Sequence, residues 1–163
     1  MKVKALLGIA AVLAALSACA SQDRIVVDMD FVVQVIDDGN AVKIVKYRGG
    51  RTDVRIPAQI RNLPVTAIGN SSFANRNLTS VHIPNTVTYI GNAAFWQNRI
   101  SSIVIPNSVT HIGVSAFGRN HFRYVTIPSG ITYIGARAFD AGVDVLNRET
   151  REPLIPPTYT AAR

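Results

Sequence analysis

The chain has 163 residues, of which 48% are hydrophobic and 7% aromatic, and its formal net charge is +7. This length and composition suit a single domain of modest size. The only cysteine, Cys19, excludes an intramolecular disulfide, so packing alone must hold the fold together.

The N-terminal residues carry the features of an export signal. Lys2 and Lys4 precede an apolar run from Ala5 to Leu16, which is too short to span a bilayer but fits the hydrophobic region of a signal peptide. The run ends in Leu-Ser-Ala-Cys, which resembles a bacterial lipobox. This resemblance implies that residues 1–18 are a lipoprotein signal peptide and that Cys19 becomes the lipid-modified first residue of the mature chain.

The lipid anchor predicts where the protein resides. Acyl chains of a lipoprotein make membrane attachment effectively permanent. By resemblance to enterobacterial sorting, Ala20 after the cysteine implies the outer membrane or cell surface rather than the inner membrane. Residues 19–30 are interpreted as the lipidated cysteine and a short polar tether. Export and the modest positive charge both argue against a nucleic-acid partner.

Two β-prone segments follow the tether. Phe31 to Ile36 and Ala41 to Tyr47 are joined by Asp-Asp-Gly-Asn, a turn sequence typical of hairpins. Terminal repeats of a solenoid must cover a core that would otherwise be exposed. Residues 31–52 are therefore predicted to form an N-terminal β-hairpin cap.

The centre of the chain is repetitive. Ile-Gly pairs and single phenylalanines each recur every 22 residues, and the two markers stay in phase. The isoleucines are Ile68, Ile90, Ile112 and Ile134, and the phenylalanines are Phe73, Phe95, Phe117 and Phe139. The pattern predicts a mainly β solenoid over residues 53–139, with the phenylalanines stacked in one buried column.

Each coil has the same predicted parts. Leu78, Val81 and Ile83 have the spacing of a leucine-rich-repeat strand, which Pro84 ends. A second short β segment closes with Gly91, which is expected to turn the chain through a positive φ. We expect Asn92 to Phe95 to form one helical or 3₁₀ turn. The first coil is longer, with an insert near residues 61–64.

These motifs resemble a known family. VTYIGNAAF…ISSIVIP and VTHIGVSAF…FRYVTIP are similar to the BspA-like leucine-rich repeats, also called the Treponema pallidum type. Two features depart from the family. The loops lack its frequent cysteine, and Asn85 and Asn107 come one position earlier than the asparagine of the general leucine-rich pattern, so we infer no asparagine ladder. The resemblance implies a cell-surface or periplasmic binding module.

The last part of the chain is predicted to be a C-terminal cap and tail, residues 140–163. The segment from Val143 to Leu146 suits a final strand, and Asn147 to Pro153 a polar turn or loop. The double proline at Pro156 favours an extended or disordered tail.

The distribution of charge argues against an enzyme. Between Val54 and Phe139 there are seven arginines and no Asp or Glu, so the repeats lack the carboxylates that general acid–base catalysis and hard-metal sites usually use. His82, His111 and His121 occupy different positions of the coil and do not suit a zinc set. We therefore expect no catalytic residue, no metal and no cofactor.

Three groups of residues are candidates for recognition, and the first two also have a purely structural interpretation. The first, the loop edge, could bind anions such as acidic glycans or acidic protein surfaces, or could simply be solvated. It consists of Arg76, Arg99, Arg119 and Trp96. The second, the outer ladder, shares one coil position and should stack on the surface, where it could bind a ligand or merely stabilise the sheet. It consists of Tyr89, His111 and Tyr133.

The third group is the outward face of the strands, where Arg123 and Tyr124 stand among small neutral residues. Such a face suits contact with a protein more than capture of a small molecule, and nothing in the sequence predicts a pocket. The sequence thus predicts a lipid-anchored envelope module that makes protein–protein or adhesive contacts. The alternative is a periplasmic structural scaffold without an external ligand. The sequence does not predict the oligomeric state.

Overall fold

The structure, a computed structural model, describes residues 25–153 and contains twelve β-strands and one 3₁₀ turn, Asp37–Gly39, in that range. The strands are β1 (Ile25–Asp28), β2 (Phe31–Ile36), β3 (Ala41–Tyr47), β4 (Asp53–Arg55), β5 (Gln59–Ile60), β6 (Leu63–Ile68), β7 (Ser80–His82), β8 (Tyr89–Ile90), β9 (His111–Ile112), β10 (Tyr124–Ile127), β11 (Tyr133–Ile134) and β12 (Asp144–Asn147). The predicted mainly β solenoid is confirmed. The predicted signal peptide, Cys19 and the end of the tail lie outside the described residues.

The N-terminal cap is a three-stranded antiparallel sheet. The predicted hairpin is confirmed, because β2 and β3 pair antiparallel over the expected residues. β1 pairs antiparallel with the outer edge of β2, so the tether predicted to reach Asp30 is wrong in its last part. β3 then pairs in parallel with β6, which joins the cap to the first coil.

Two faces of the solenoid carry strands. One is a continuous sheet in the order β1-β2-β3-β6-β8-β9-β11, in which β6, β8, β9 and β11 are parallel. The other face is interrupted. It consists of a parallel pair β4–β7 and a parallel pair β10–β12, while residues 101–106 of the coil between them form no strand.

The insert in the first coil is a tight hairpin. β5 and the start of β6 pair antiparallel across Arg61 and Asn62, which have φ values of 52° and 64°. Positive φ at both central residues is the geometry of a two-residue hairpin turn. The predicted insert therefore adds a small excursion to the coil without breaking the repeat.

A stack of aromatic rings fills the centre of the coils. Five parallel-stacked rings form it, with successive ring centroids 5.0–5.3 Å apart. They are Tyr47, Phe73, Phe95, Phe117 and Phe139, each at most 2% exposed. The predicted phenylalanine column is confirmed, and Tyr47 of the cap begins it. We call these five residues the buried column.

The turn before each column ring differs from the prediction. Ala93 has φ 53°, so Asn92 to Phe95 is not a helical or 3₁₀ turn. The positive φ also lies at Ala93 rather than at Gly91, which corrects the role expected of that glycine. A Cβ on Gly91 would come within 2.5 Å of Asn70 Oδ1 and 2.8 Å of Asn70 N, so glycine allows neighbouring coils to approach closely.

Candidate functional site

A groove of about 1090 Å³ runs along the interrupted face of the solenoid. Its walls come from β4, β7 and β10, from residues 101–104 between them, and from both ends of the domain. The sequence did not predict a pocket. The groove was missed because it takes Asp30 and Arg51 from the cap and Arg151 from beyond the repeats, whereas the repeat pattern describes only the strand residues between them.

The floor of the groove changes character along the repeat. The position occupied by Ser80 and Ser102 becomes Tyr124 one coil later, and Tyr124 is 61% exposed. Two residues further along the strand, the equivalent positions of the three coils hold His82, Val104 and Thr126, and Val104 is 73% exposed. Exposed Val104 and Tyr124 thus stand at the middle and far end of a floor that carries polar and charged side chains near the cap.

The groove carries more positive than negative charge. Four arginines and two aspartates line it, together with two histidines. They are Arg51, Arg55, Arg123, Arg151, Asp30, Asp53, His82 and His121. Arg51 and Arg55 share the cap end with Asp30 and Asp53, whereas the far end has Arg123 and Arg151 and no lining carboxylate. An occupant with acidic groups would therefore be attracted mainly to the far end.

Tyr47 holds the cap end of this groove in place. Its hydroxyl donates a hydrogen bond to the Arg51 carbonyl oxygen at 3.3 Å, while its ring stacks on Phe73 at 5.3 Å. Burial raises the pKa of Tyr47 above its usual value of 10.0, so the hydroxyl keeps its proton. One side chain therefore links the buried column to the groove wall.

The arginines of the loop edge do not share one register. Arg76, Arg99 and Arg119 lie in the same loop of successive coils but at three different positions of the 22-residue repeat. The Arg119 guanidinium lies over the Trp96 ring, 5.0 Å from its centroid. Such a contact orders the cation on an aromatic face.

Two asparagines of this loop are structural. The side chain of Asn98 is 5% exposed, accepts hydrogen bonds from the Arg76 and Leu78 N–H groups at 3.0 Å, and donates to the Phe73 and Phe95 carbonyls at 2.9 Å. Asn120 repeats the pattern one coil later. An asparagine ladder thus exists away from Asn85 and Asn107, and the 22-residue step between Asn98 and Asn120 was its sequence signal.

The outer ladder stacks as predicted, on the continuous sheet. Successive rings of Tyr89, His111 and Tyr133 are 4.4 Å apart and nearly parallel, at 15° and 12°. Both faces of the His111 ring are therefore covered by its neighbours, whereas Tyr89 and Tyr133 are 38% and 43% exposed. Burial lowers the pKa of His111 below 6.5, because desolvation disfavours the charged imidazole.

The candidate residues therefore divide among three surfaces. Arg123 and Tyr124 lie in the groove, the outer ladder lies on the other sheet, and the loop edge lies on the connections. His82 and His121 reach the groove, whereas His111 does not. Among residues 25–153, no three His, Cys, Asp or Glu side chains converge into a metal-binding group. Within the same range, no helix has the length and apolarity needed to cross a membrane.

The repeat region matches a known family. A family described as "BspA type Leucine rich repeat region (6 copies)" matches residues 52–147. No curated protein matches the chain.

Solved structures of bacterial leucine-rich-repeat proteins are similar. One from Bacteroides capillosus is 25% identical, with a TM-score of 0.63, and the match covers 74% of this chain and 97% of that protein. A leucine-rich cell surface protein from Faecalibacterium prausnitzii is 26% identical, with a TM-score of 0.63, over 79% of this chain. The match spans only 44% of that protein. A third, from Bacteroides ovatus, is 23% identical with a TM-score of 0.51, over 75% of this chain and 40% of that protein, and shows the fold alone.

Proposed function

This chain belongs to the family of proteins with BspA-type leucine-rich repeats, and we propose that it is a lipid-anchored envelope module that binds a protein partner in its groove. Family membership supports a protein–protein interaction module. The description of one similar structure as a cell surface protein supports a place in the envelope. The lipobox-like sequence ending at Cys19 supports the lipid anchor.

The groove is the observation that carries this proposal. Its floor exposes Tyr124 and Val104, while the same positions of the adjoining coils hold Ser102, His82 and Thr126. Exposed Tyr and Arg are the residue types that dominate binding energy at protein interfaces. Arg123 stands beside Tyr124 in the same groove, so an aromatic anchor and a cation are presented together.

Site-directed photocrosslinking on living cells tests the proposal. A photoreactive amino acid replaces Val104 in the groove and, in the control protein, Val114, which is 41% exposed outside the groove. We expect a discrete adduct from position 104 and none from position 114. The adduct should disappear when Tyr124→Ala is added and persist with Tyr89→Ala, a matched tyrosine on the outer ladder. Equal adducts from both valines, or none from position 104, would contradict groove binding.

The envelope location has its own test. Protease applied to intact cells, with a periplasmic protein as control, should degrade the repeats if they bind an external partner. Full protection would instead support an envelope scaffold. For the anchor, Cys19→Ser should move the protein from the detergent phase to the aqueous phase. Unchanged partitioning would refute lipidation at Cys19.

A further inference from the structure

The outer edge of the cap exposes aliphatic side chains that the fold does not use. Ile25 is 62% exposed, Val27 is 52% exposed and Met29, in the turn after β1, is 92% exposed. Residues two apart on a strand point to the same side, so Ile25 and Val27 form one strip. An exposed apolar strip indicates a contact site when the charged and polar groups around it complement those of a partner.

The strand register places lysines on the same side as this strip. Ile25 lies opposite Gln34 and Val27 opposite Val32. On the next strand, Gln34 lies opposite Lys43 and Val32 opposite Lys46. One face of the cap therefore runs from an aliphatic edge to a row of two lysines, and we call it the hairpin face. It consists of Ile25, Val27, Val32, Gln34, Lys43 and Lys46, and Met29 adjoins it in the turn after β1.

The neighbourhood of the strip adds a further positive charge. The Arg61 guanidinium donates to the Val27 carbonyl oxygen at 3.5 Å. The acid next in sequence, Asp28, pairs with Phe31 and points to the other side of the cap. Asp30 lines the groove. Aliphatic groups bordered by cations complement a lipid surface, where phosphates lie above the acyl chains.

The chain before β1 limits how far this face can lie from the membrane. Only residues 20–24 separate Cys19 from Ile25, and six extended steps span at most about 22 Å. We propose that the hairpin face rests on the bilayer, with Ile25, Val27 and Met29 among the headgroups and Lys43 and Lys46 beside lipid phosphates. This inference rests on the proposed lipid anchor at Cys19.

A lipid surface fits this face better than a second protein does. Stable protein interfaces bury about 800 Å² per partner, far more than three aliphatic side chains supply. Lysine is depleted in such interfaces but favoured beside anionic headgroups. None of the six residues of the hairpin face lines the groove, so membrane contact leaves the groove available to a protein.

A fluorescent probe in the full lipidated protein tests the inference. The only native cysteine is Cys19, which lipidation consumes, so a cysteine introduced elsewhere is labelled alone. Met29→Cys and the control Val114→Cys receive an environment-sensitive dye, and the proteins are reconstituted into phosphatidylethanolamine–phosphatidylglycerol vesicles. We expect the Met29→Cys label to emit at shorter wavelength and to be quenched by brominated lipid. The Val114→Cys label should behave as in water.

The outcomes separate this inference from the anchor. If the protein floats with the vesicles while the Met29→Cys label stays in water, the hairpin face is not a membrane contact and the anchor stands. If the protein does not float, the anchor fails and the inference fails with it. Adding Lys43→Gln and Lys46→Gln should reduce quenching of the Met29→Cys label on anionic vesicles. Arg99→Gln, which removes an exposed cation of the loop edge, should leave it unchanged.

Discussion

Two aromatic rows run along this solenoid, and within the repeats the members of both rows recur every 22 residues. One row is buried and the other is exposed. The buried column places five rings in the core, each at most 2% exposed. The outer ladder places Tyr89, His111 and Tyr133 on the surface, with the two tyrosines 38% and 43% exposed. The repeat imposes stacking wherever an aromatic residue recurs, so a stack by itself indicates neither structural necessity nor function.

The two rows differ in how much of the surrounding structure packs against each ring. A column ring fills the centre of a coil, and its removal leaves a cavity that neighbouring coils cannot close. A ladder ring lies on the sheet, and its removal exposes a little more backbone to water. The column should therefore determine stability, while the ladder should tune it.

Truncating a column ring gives the largest expected effect. Phe95→Ala should lower the free energy of unfolding by about 3–5 kcal/mol, through lost apolar burial and the cavity left behind. The measurement is chemical denaturation followed by circular dichroism. Phe95→Leu, which keeps most of the volume, should lose clearly less. A Phe95→Ala loss below that of Phe95→Leu would show that the column is not the core of the fold.

The asparagine ladder stabilises the buried column by hydrogen-bonding the backbone carbonyls of column residues. Asn98→Ala should cost about 2–3 kcal/mol, because each buried polar group left without a partner costs about 1–3 kcal/mol and Asn98 bonds the Phe73 carbonyl and the Leu78 N–H. The Phe95 carbonyl keeps its hydrogen bond from Asn120. Exposed Asn85 provides the control, and Asn85→Ala should change stability little. Equal losses from the two variants would contradict a structural role for Asn98.

Removing a ring of the outer ladder should destabilise the fold much less than removing a ring of the buried column. Tyr89→Ala should cost about 0.2–1 kcal/mol, the range of a cross-strand pair on an open sheet face. The same denaturation experiment compares it directly with Phe95→Ala. A Tyr89→Ala loss as large as that of Phe95→Ala would remove the distinction between the two rows.

The smallest expected effect is a pH dependence from His111. Burial lowers the pKa of its imidazole in the folded state below 6.5. Neutral His111 therefore makes its full contribution to the free energy of unfolding above pH 6.5. This contribution declines as the pH falls from 6.5 to the folded-state pKa, because the unfolded chain takes up the proton first. His111→Phe should keep the stack and flatten this part of the Tm profile between pH 7 and 5.

Tyr89→Phe is the matched control for this pH dependence, because it changes an adjoining ladder ring and keeps the imidazole. Its Tm profile should follow that of the parent protein. If His111→Phe also followed the parent profile, the pH dependence would have to come from another group.

The sequence predicted what the repeat itself determines. The column, the cap hairpin, the insert in the first coil and the outer ladder all follow from spacing and residue type. Phase between the Ile-Gly and Phe markers fixed the coil length, and coil length alone brings Tyr89 over His111. These features depend on neighbours in register, so a single sequence contains them.

The features that were missed depend on residues outside that register or on close backbone approach. Tyr47 belongs to the column but lies in the cap, where no Ile-Gly pair precedes the aromatic residue to indicate a repeat. Gly91 was assigned a turn because glycine permits positive φ, yet the space beside Asn70 is what requires it. The groove needs Arg51 and Arg151, which precede and follow the repeats, so no pattern within the repeats could predict it.

The interruption between β7 and β10 has a mechanical consequence. The continuous sheet links every coil by strand pairing, whereas the groove side is divided into two separate pairs on either side of residues 101–106. A solenoid with strand pairing along the whole of one face and only part of the other is stiffer on the fully paired face. We therefore expect it to bend most easily about the continuous sheet, which widens or narrows the groove at its middle, beside Val104.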